Sequence, residues 1–384
     1  MINGKTSDPI RVVFWGSYDL SKPRTRILRE GLQEAGVDVI EIHSDAWSQF
    51  ADKSQISKST LILTLMRVFL SYPGLILRYL KAPAHDVVLV PYLGQFDVLV
   101  LWPFTRLKGK PIVWDMFLSL YDTVVNDRKT SGKRSLSAAS LKALEWLACR
   151  AATRVVLDTK AHADHIARLF SLKEGRTEAV PVGAETDVFP RQSRTAPQDG
   201  PTKILFYGQL IPLHGIETIL DAALSPRGRA HDWHIIGKGQ ESARVAERLA
   251  QTDAPHITHD AWLAYDRLID AIADSDVCLG IFGSSEKAAC VVPNKVYQCL
   301  AAGRTVITRA SPAMNETFPT ADPGLKLVPH SDADALLDAI DAARTEYFPV
   351  MPETALTLAH PREIGQRLRD RILVGLLQET PIKK

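Results

Sequence analysis

The amino-acid sequence predicts an α/β protein built from two doubly wound domains that face each other across a cleft. The chain has 384 residues, enough for two domains of roughly 150 residues that each bury a core. Short apolar runs alternate with amphipathic segments of helix length almost throughout, as in βαβ units with parallel sheets. The alternation stops at residues 190–202, PRQSRTAPQDGPT, where three prolines and the lack of apolar periodicity predict a linker. Two Rossmann-like domains are therefore expected.

The first domain is predicted over residues 1–189. Its strands are expected at residues 11–15, 37–42, 87–91, 111–114, 154–157 and 178–180. Its helices are expected at residues 24–35, 59–70, 95–107, 135–151 and 161–170, where apolar residues recur with helical period. Strands that alternate with helices in this way form a complete doubly wound unit.

The second domain is predicted over residues 203–360, and residues 361–384 hold one more helix, at 361–378. Its strands are expected at residues 203–207, 233–236, 257–259, 277–281, 305–308 and 326–328. Its helices are expected at residues 216–223, 241–251, 265–273, 294–302 and 332–343. Ligands of such sheets bind outside the carboxyl ends of the strands, so the cleft between the domains is the predicted active site.

Composition and charge exclude several classes of protein. Hydrophobic residues make up 46% of the chain, charged residues 23%, and the net charge is +2, values typical of a globular protein and too balanced to favour non-specific nucleic-acid binding. The four cysteines show no CxxC spacing, which argues against a disulfide framework or a zinc site. The start of the chain lacks the pattern of a secretory signal, so a reducing cytoplasm is expected.

One segment is both apolar and basic. Five lysines and arginines and no acid lie between Lys53 and Lys81, among leucines, isoleucines and aromatic residues. Arg67, Pro73-Gly74 and Arg78 interrupt the apolar stretch, so no membrane-spanning helix is expected. Two interpretations stay open: docking on an anionic membrane surface, or an ordinary helix with a solvated basic face.

The first strand-to-helix loop offers a candidate ligand site. Gly16 and Ser17 follow the first strand, and Arg24 opens the next helix. A glycine turn, a helix N-terminus and a guanidinium suit an anionic or hydroxyl-rich ligand. The alternative is that Gly16 only permits a tight turn and Arg24 faces solvent.

Two glycine turns follow successive strands of the second domain, at Gly208 and at Gly237-Lys238-Gly239. Glycine lets the backbone approach a ligand, and the helix N-terminus that follows favours phosphate. Asn294 and Lys295 begin a later helix, where the helix dipole disfavours a cation unless an anion offsets it. These features predict a nucleotide phosphate; the alternatives are ordinary turns and a lysine on the helix rim.

No metal site is expected from the sequence. Asp274-Ser275-Asp276 precede a strand, whereas ligands at the cleft should follow one. The pairs His162 and His165, and His231 and His234, lack a convergent third ligand and are expected on the surface.

Five stretches of the sequence resemble the retaining glycosyltransferases of group 1 (family 4), which have the GT-B fold of two facing Rossmann-like domains. They are RVVFWGSYDLSKPRTRILREGLQEAGVDV, FYGQLIPLHGIETILDAA, HIIGKGQE, DAWLAYDRLIDAIADSDVCLGIFG and VVPNKVYQCLAAGRTVIT. The resemblance covers nearly the whole chain. It implies that the second domain binds a nucleotide-sugar, with Trp262 and Leu263 at the base, and that the first domain binds the acceptor. It also implies that the final helix packs back on the first domain.

The sequence departs from the pattern of this family at the donor site. The arginine and lysine that usually hold the donor diphosphate are replaced by Gln209 and His214. The usual pair of glutamates falls at Cys290 and Gln298, with Glu286 as an alternative for the first. The amide of Gln298 can still hydrogen-bond ribose hydroxyls.

A third departure lies in the first domain, where the usual histidine is absent and Asp115 and Asp122 stand in its region. The resemblance and the loops together assign a catalytic role to Lys295, His214, Asp115 and Glu286, the donor side to Gly208, Gln209, Gly237, Gly239, Trp262, Leu263, Asn294 and Gln298, and the acceptor side to Gly16, Ser17, Arg24 and Asp122.

The leading hypothesis is a metal-independent glycosyltransferase that moves a sugar with retention from a nucleotide-diphosphate sugar to a lipid-linked or polysaccharide acceptor in cell-envelope glycan synthesis. No cofactor beyond the donor substrate is expected. The protein is expected in the cytoplasm or peripherally on the inner face of the membrane. The alternatives are a nucleotide-sugar epimerase of the same architecture and a sugar-nucleotide-binding subunit without catalysis.

Overall fold

The computed structural model describes residues 9–45, 58–132, 134–189, 200–319, 323–345 and 357–379. Most of the predicted linker, 190–202, and Lys53 of the basic segment lie outside these residues. Within them the chain forms two six-stranded parallel sheets flanked by helices, which confirms the predicted α/β class with two Rossmann-like units.

The first sheet has the strand order β2-β1-β3-β4-β5-β6. Its strands are β1 (Arg11–Gly16), β2 (Asp38–His43), β3 (Val87–Val90), β4 (Ile112–Phe117), β5 (Arg154–Leu157) and β6 (Thr177–Ala179). Its helices are α1 (Pro23–Glu34), α2 (Lys58–Leu80), α3 (Gln95–Leu107), α4 (Leu136–Ala151) and α5 (Lys160–Phe170). Every residue of β3 is buried, because helices cover both faces of the sheet.

The second sheet has the strand order β12-β11-β10-β7-β8-β9. Its strands are β7 (Lys203–Tyr207), β8 (Asp232–Ile236), β9 (Ile257–Asp260), β10 (Val277–Leu279), β11 (Thr305–Arg309) and β12 (Leu325–Val328). Its helices are α6 (Ile216–Leu224), α7 (Ser242–Ala250), α8 (Tyr265–Asp274), α9 (Glu286–Cys290), α10 (Asn294–Ala301), α11 (Pro312–Thr317) and α12 (Ala333–Thr345).

The order of the strands locates the crevice of each sheet. Chain order reverses between β1 and β3 in the first sheet and between β7 and β10 in the second. At such a switch point the helices after the two strands lie on opposite faces, which leaves a crevice at the carboxyl ends. The loops that begin at Gly16 and at Gly208 therefore stand at the mouths of the two crevices.

The end of the described chain lies against the first sheet's layer. Helix α13 (Pro361–Leu368) continues through a π-helical turn (Arg369–Leu373) into α14 (Val374–Glu379). Ile364 is buried together with Ile27 and Leu28 of α1. A Cβ atom on Gly365 would lie 1.9 Å from the backbone of Gly31, so the two helices can cross this closely only through glycine.

Helix α2 is longer than the predicted helix at 59–70, because Pro73 is tolerated inside it and the helix runs on to Leu80. Its Ile62–Leu80 stretch is long and apolar enough to cross a membrane by length and composition, and 28% of it is buried; no other helix within the described residues meets that test. One face, with Val68, Tyr72 and Leu75, packs into the core against Trp15.

Other local features were not predicted. A π-helical turn covers Asp122–Asp127, and α9 forms where a loop was expected. Helix α9 begins at a favourable cap, since the hydroxyl of Ser285 accepts a hydrogen bond from the backbone N–H of Ala288 at 3.1 Å. Both features lie at the cleft.

Candidate active site

A cavity of about 670 Å³, called here the donor cavity after the role that the sequence resemblance predicts for it, lies in the cleft between the carboxyl ends of the two sheets. Its lining residues are Lys22, Tyr92, Leu93, Leu118, Leu120, Thr123, Val124, Arg128, Tyr207, Gly208, Gln209, Ile236, Gly237, Lys238, Ala261, Trp262, Leu263, Tyr265 and Leu268. Three of them are lysine or arginine, and none is a carboxylate. The lining therefore suits an anion that also carries an apolar or aromatic part.

The absence of a side chain at Gly208 lets two basic residues approach the end of β7. Gly208 has a φ of +143°, and a Cβ atom there would lie 2.9 Å from the ring of His214 and 3.1 Å from Nζ of Lys295. Both residues therefore stand directly behind the glycine that lines the donor cavity. The structure brings together these three residues, which the sequence assigned to one site.

Lys295 is buried at the start of α10 without a counter-ion. Its Nζ donates a hydrogen bond to the carbonyl of Gly280 at 3.3 Å and lies 4.0 Å from the centre of the Phe206 ring. Among the residues the structure describes, no carboxylate lies within ion-pair distance of it. Burial lowers the pKa of Lys295 from 10.5 to about 7. An anion bound beside Gly208 would restore the charge.

His214 does not add a charge of its own. Burial, and then the neighbouring charge of Lys295, lower the pKa of His214 well below its ordinary value. Its Nδ1 faces the carbonyl oxygen of Gln209, so the neutral ring donates that hydrogen bond from Nδ1. His214 therefore shapes the turn, whereas a catalytic role was expected from the sequence.

The two glycine turns of the second domain pack on each other. A Cβ atom on Gly237, whose φ is +153°, would lie 1.9 Å from the carbonyl oxygen of Gly208. Gly239 approaches the backbone of Leu210 in the same way, and its N–H donates to the hydroxyl of Ser242 at 2.7 Å. Gly237 lines the donor cavity, while Gly239 supports the turn from behind.

The predicted base-binding segment also lines the donor cavity. Trp262 is 67% exposed and Leu263 is half-buried, and both follow the carboxyl end of β9. An exposed indole at the rim of a cavity offers a flat face on which an aromatic ring can stack.

The positions expected to hold the paired glutamates are buried. Gln298 accepts a hydrogen bond from the hydroxyl of Tyr207 at 2.9 Å, so it supports a residue of the cavity wall. Asn294 is half-buried in the first turn of α10. The carbonyl of Cys290 accepts a hydrogen bond from the hydroxyl of Thr159, and burial raises the pKa of the Cys290 thiol to about 11. Neither Gln298 nor Cys290 lines the donor cavity.

The predicted ligand site at Gly16 and Ser17 is already filled by a side chain. Asp97, in the first turn of α3, accepts hydrogen bonds from the backbone N–H of Ser17 at 3.0 Å and from its hydroxyl at 3.1 Å. Tyr72 donates a third, at 2.9 Å, and burial raises the pKa of Asp97 to about 6. The loop binds a carboxylate of the protein itself, so this interpretation of the loop was wrong.

Arg24 and Asp115 neutralise each other in the core of the first domain. Their side chains are about 2% and 1% exposed, and Nη2 of Arg24 lies 2.7 Å from Oδ1 of Asp115. Arg24 also donates hydrogen bonds to the backbone carbonyls of Val180 and Pro181. Neither residue lines the donor cavity. A buried and fully hydrogen-bonded pair stabilises the position of β4 and is a poor base or ligand, which corrects both assignments.

A second cavity of about 790 Å³, called here the acceptor cavity after the role predicted for Asp122, lies in the same cleft. It is lined from the first domain by the π-helical turn and α5, and from the second domain by the start of α9. Asp122, His165, Glu286 and Lys287 converge on it. Lys287 donates to the hydroxyl of Thr123, which lines the donor cavity, so the two cavities adjoin.

His165 joins the two domains inside the acceptor cavity. Its Nε2 lies 3.3 Å from Asp122 and its Nδ1 lies 3.1 Å from Glu286. The hydrogen bond to Asp122 raises the pKa of His165, against the opposite effect of burial. Burial raises the pKa of Asp122, but hydrogen bonds from His165 and Asn126 outweigh it and leave that pKa low. A protonated His165 donates to both carboxylates.

Three histidines expected on the surface are in fact buried. They are His162, His165 and His231. Nδ1 of His162 lies 2.6 Å from Oδ1 of Asp158, which precedes α5, and this spacing of four residues was visible in the sequence. The position of His165 in the cleft could not be predicted from the sequence, because it depends on the packing of α5 against α9.

Arg128 and Lys287 are site residues that sequence reasoning missed. Arg128 belongs to a run with four cations in seven residues, RKTSGKR at 128–134, which was the available signal. Lys287 was hidden in a segment expected to be a loop. Within the described ranges, no group of three or more histidine, cysteine and acidic side chains could hold a metal ion.

Comparison with known proteins finds a family match within the second domain. Residues 201–345 match the family model of group 1 glycosyl transferases. No significant match is found among curated protein sequences.

The fold of the whole chain is similar to that of solved enzymes. Sucrose-phosphate synthase from Thermosynechococcus elongatus has a TM-score of 0.61 at 18% identity, with 97% of this chain and 98% of that chain covered. The catalytic domain of starch synthase IV from Arabidopsis thaliana, bound to ADP and acarbose, has a TM-score of 0.66 at 11% identity, covering 98% and 99%. HepE from Anabaena in complex with UDP-glucose has a TM-score of 0.54 at 11% identity, covering 97% and 98%. These similarities confirm the GT-B fold.

Proposed function

We propose that this chain, which has the GT-B fold, is a group 1 glycosyltransferase that transfers a sugar from a nucleotide-diphosphate sugar to a lipid-linked or polysaccharide acceptor, with retention and without a metal ion. The observation that carries this proposal is the donor cavity, whose wall has three cations, no carboxylate and an exposed tryptophan. HepE and starch synthase IV, which share the fold, have been solved with UDP-glucose and with ADP. We place the donor in this cavity, with its base on Trp262 and its diphosphate at Gly208 and Gly237.

Lys295 is the residue that we assign to leaving-group stabilisation. Breaking the bond between sugar and diphosphate builds negative charge on the leaving oxygen, and a cation fixed in a dry site stabilises that charge. Lys295 is held in place by Gly280 and the Phe206 ring, and it lies directly behind Gly208. Because none of the described carboxylates pairs with it, a bound phosphate would be the counter-ion of its charged form.

The same wall supports the proposal of retention without a metal ion. An inverting transfer needs a base on the face opposite the leaving group, and a metal site at the diphosphate needs carboxylate ligands. The lining of the donor cavity supplies neither. We therefore expect the leaving diphosphate to accept the acceptor's proton on the same face as the departing bond, with lysine and arginine in the place of a metal.

The acceptor cavity is where we place the incoming hydroxyl group. Asp122, His165 and Glu286 offer a charged, hydrogen-bonding surface that suits a polar glycan. Glu286 is 69% exposed at the side chain, so it is available to an incoming group. We therefore keep the assignment of Asp122 to the acceptor side as part of this proposal.

We also propose that helix α2 docks on the inner face of the cytoplasmic membrane, where a lipid-linked acceptor of envelope glycan synthesis would be presented. The face of α2 opposite the core exposes Ile62, Met66, Phe69, Leu70 and Leu77. The ring centres of Phe69 and Phe96 of α3 lie 5.3 Å apart, so the apolar surface continues onto that helix. Leu75 of the same helix lies in the core.

The charges around this surface support docking. Arg67 and Arg78 are exposed on α2. On the neighbouring helices, Trp102 and Trp146 are each about 41% exposed, and the guanidinium of Arg150 lies 3.7 Å from the Trp146 ring. Tryptophan beside arginine is typical of surfaces that sit at the level of lipid headgroups.

A panel of UDP-, GDP- and ADP-sugars tests the proposed reaction. We expect one base and sugar to raise the melting temperature and to be hydrolysed slowly in the absence of acceptor and in the presence of EDTA. Conversion of the donor to its epimer would favour the epimerase, and binding without any turnover would favour the non-catalytic subunit. Binding of no member of the panel would overturn the proposal.

A further inference from the structure

We infer that Arg128 of the first domain is a ligand of the donor diphosphate, so that the donor site of the second domain is complete only when the cleft is closed. This inference rests on the proposed function, since it names a residue for the same ligand. Resemblance implies an arginine at position 209, where this chain has glutamine. The structure places a guanidinium from the other domain directly against that glutamine.

The geometry of Arg128 is defined by contacts with two loops of the second domain. Its Nη2 donates a hydrogen bond to Oε1 of Gln209 at 2.9 Å. Its backbone carbonyl accepts a hydrogen bond from Nε2 of Gln240 at 3.1 Å. Arg128 thus follows the π-helical turn of the first domain and lies between the turns that begin at Gly208 and Gly237. It lines the donor cavity together with both glycines.

Among the residues that the structure describes, no acidic group pairs with the charge of Arg128. Its side-chain partner Gln209 is a neutral amide, and no carboxylate of the described chain lies within ion-pair distance. Its Nε is buried and lacks a hydrogen-bond partner within the same residues. A buried donor on an uncompensated cation is costly unless a ligand satisfies it. The cavity that the side chain lines has no acid, so an anion from outside is the missing partner.

Shape and chemistry make a diphosphate the fitting anion. The guanidinium presents several N–H groups in one plane, which match two oxygens of a phosphate. With Nη2 on Gln209, the other donors of the guanidinium would hydrogen-bond a diphosphate at the turn that begins at Gly208, and Lys295 lies behind that glycine. The two cations would then hold the diphosphate from two sides, one from each domain.

The alternative is that Arg128 only latches the domains together through Gln209 and Gln240. The two roles predict different effects of replacing Arg128 on the affinities for the nucleoside and for the nucleoside diphosphate. A latch affects both equally, because it changes only closure. A phosphate ligand affects the diphosphate alone.

The test is calorimetric titration of the full-length protein and of Arg128→Gln with UDP, ADP and GDP and with the corresponding nucleosides. We expect the variant to bind its preferred diphosphate about 10- to 100-fold more weakly, the loss of a charge-assisted contact, and to bind the nucleoside unchanged. Arg134→Gln is the matched control, because it removes an exposed charge from the same basic run. It should bind both ligands like the wild type.

A second variant moves the cation to the other domain. Gln209→Arg in the Arg128→Gln background should recover most of the lost affinity for the diphosphate, because a guanidinium again stands beside Gly208. Unchanged diphosphate binding by Arg128→Gln, an equal loss for nucleoside and diphosphate, or no recovery in the double variant would each overturn the inference. No binding of any diphosphate by the wild type would instead overturn the proposed function.

Discussion

Replacing Lys295 with methionine is expected to stabilise the folded protein and to slow sugar transfer by about 100-fold. Methionine has a similar length and no charge, so it fills the space behind Gly208 without the desolvation of an ammonium group. The buried lysine is a cost to folding that the proposed reaction requires. A functional site of this kind trades stability for activity.

The size of the effect follows from the pKa of Lys295. Burial lowers it from 10.5 to about 7, and at about 1.4 kcal/mol for each pH unit this amounts to about 5 kcal/mol at pH 6. The methionine loses the hydrogen bond to Gly280 and the contact with the Phe206 ring, worth about 2 kcal/mol together. We therefore expect a net gain in the free energy of unfolding of about 3 kcal/mol at pH 6.

The dependence on pH gives the prediction its sign. Between about pH 7 and 10.5 the unfolded chain binds the lysine's proton and the folded protein does not, so the wild type gains stability as pH rises through that window. The cost of burial is largest below pH 7 and falls to about 2 kcal/mol at pH 9. The advantage of the methionine variant should therefore shrink and then vanish between pH 6 and 9.

Urea unfolding at pH 6, 7.5 and 9 measures this difference, and Lys173→Met is the control. Lys173 is exposed, so the difference in free energy of unfolding between Lys173→Met and the wild type should be nearly the same at each pH. A Lys295→Met variant that is less stable at every pH, or whose advantage does not change with pH, would refute the reasoning. Retention of full transferase activity by the stabilised variant would remove Lys295 from the mechanism.

Four further predictions concern the ligand, the membrane, the metal and the final helix. Binding of the preferred nucleoside diphosphate at pH 8 should take up close to one proton, because the anion raises the pKa of Lys295 from about 7; calorimetry in two buffers of different ionisation enthalpy measures this, and no uptake would contradict it. The wild type should co-sediment with anionic but not zwitterionic vesicles at low salt, because exposed cations are attracted to anionic headgroups. The variant with Arg67 and Arg78 both changed to glutamine should stay in the supernatant, and equal pelleting of the two proteins would contradict the docking proposal. Activity should survive dialysis against EDTA unchanged, and a loss restored by Mg²⁺ or Mn²⁺ would show that a metal takes part. Gly365→Ala should lower the free energy of unfolding by about 3 kcal/mol, because its Cβ atom would lie 1.9 Å from the backbone of Gly31; an unchanged urea midpoint would show that α1 and α13 can separate at little cost.

The sequence predicted the framework well because the framework depends on local patterns. Buried parallel strands such as Val87–Val90 are continuous apolar runs, and the helices between them carry helical periodicity. The strand and helix positions, and the two facing sheets, follow from those patterns. Helix α9 was missed because five residues are too short to show a period.

The site was predicted less evenly, and the difference has a physical cause. Gly208, Gly237, Trp262 and Leu263 follow strand ends, and a strand end fixes where a residue lies relative to the cleft. The side chain that fills the loop at Ser17 is Asp97, 80 residues away, and no local pattern announces it.

The contacts between the two domains could not be predicted from the sequence. The position of Arg128 against Gln209 depends on how the two sheets face each other across the cleft. The same holds for His165, which touches one carboxylate from each domain. Pairs of this kind become visible only when both domains are placed.

The most direct test of the whole account is proton NMR of the sugar released or transferred from the preferred nucleotide-sugar, followed from the start of the reaction with EDTA present. For the wild type we expect a product whose anomeric configuration is that of the donor, and for Lys295→Ala a rate lower by about 100-fold, from the loss of one cation at the leaving diphosphate. An inverted product, an epimerised donor, or equal rates for the two proteins would contradict the account.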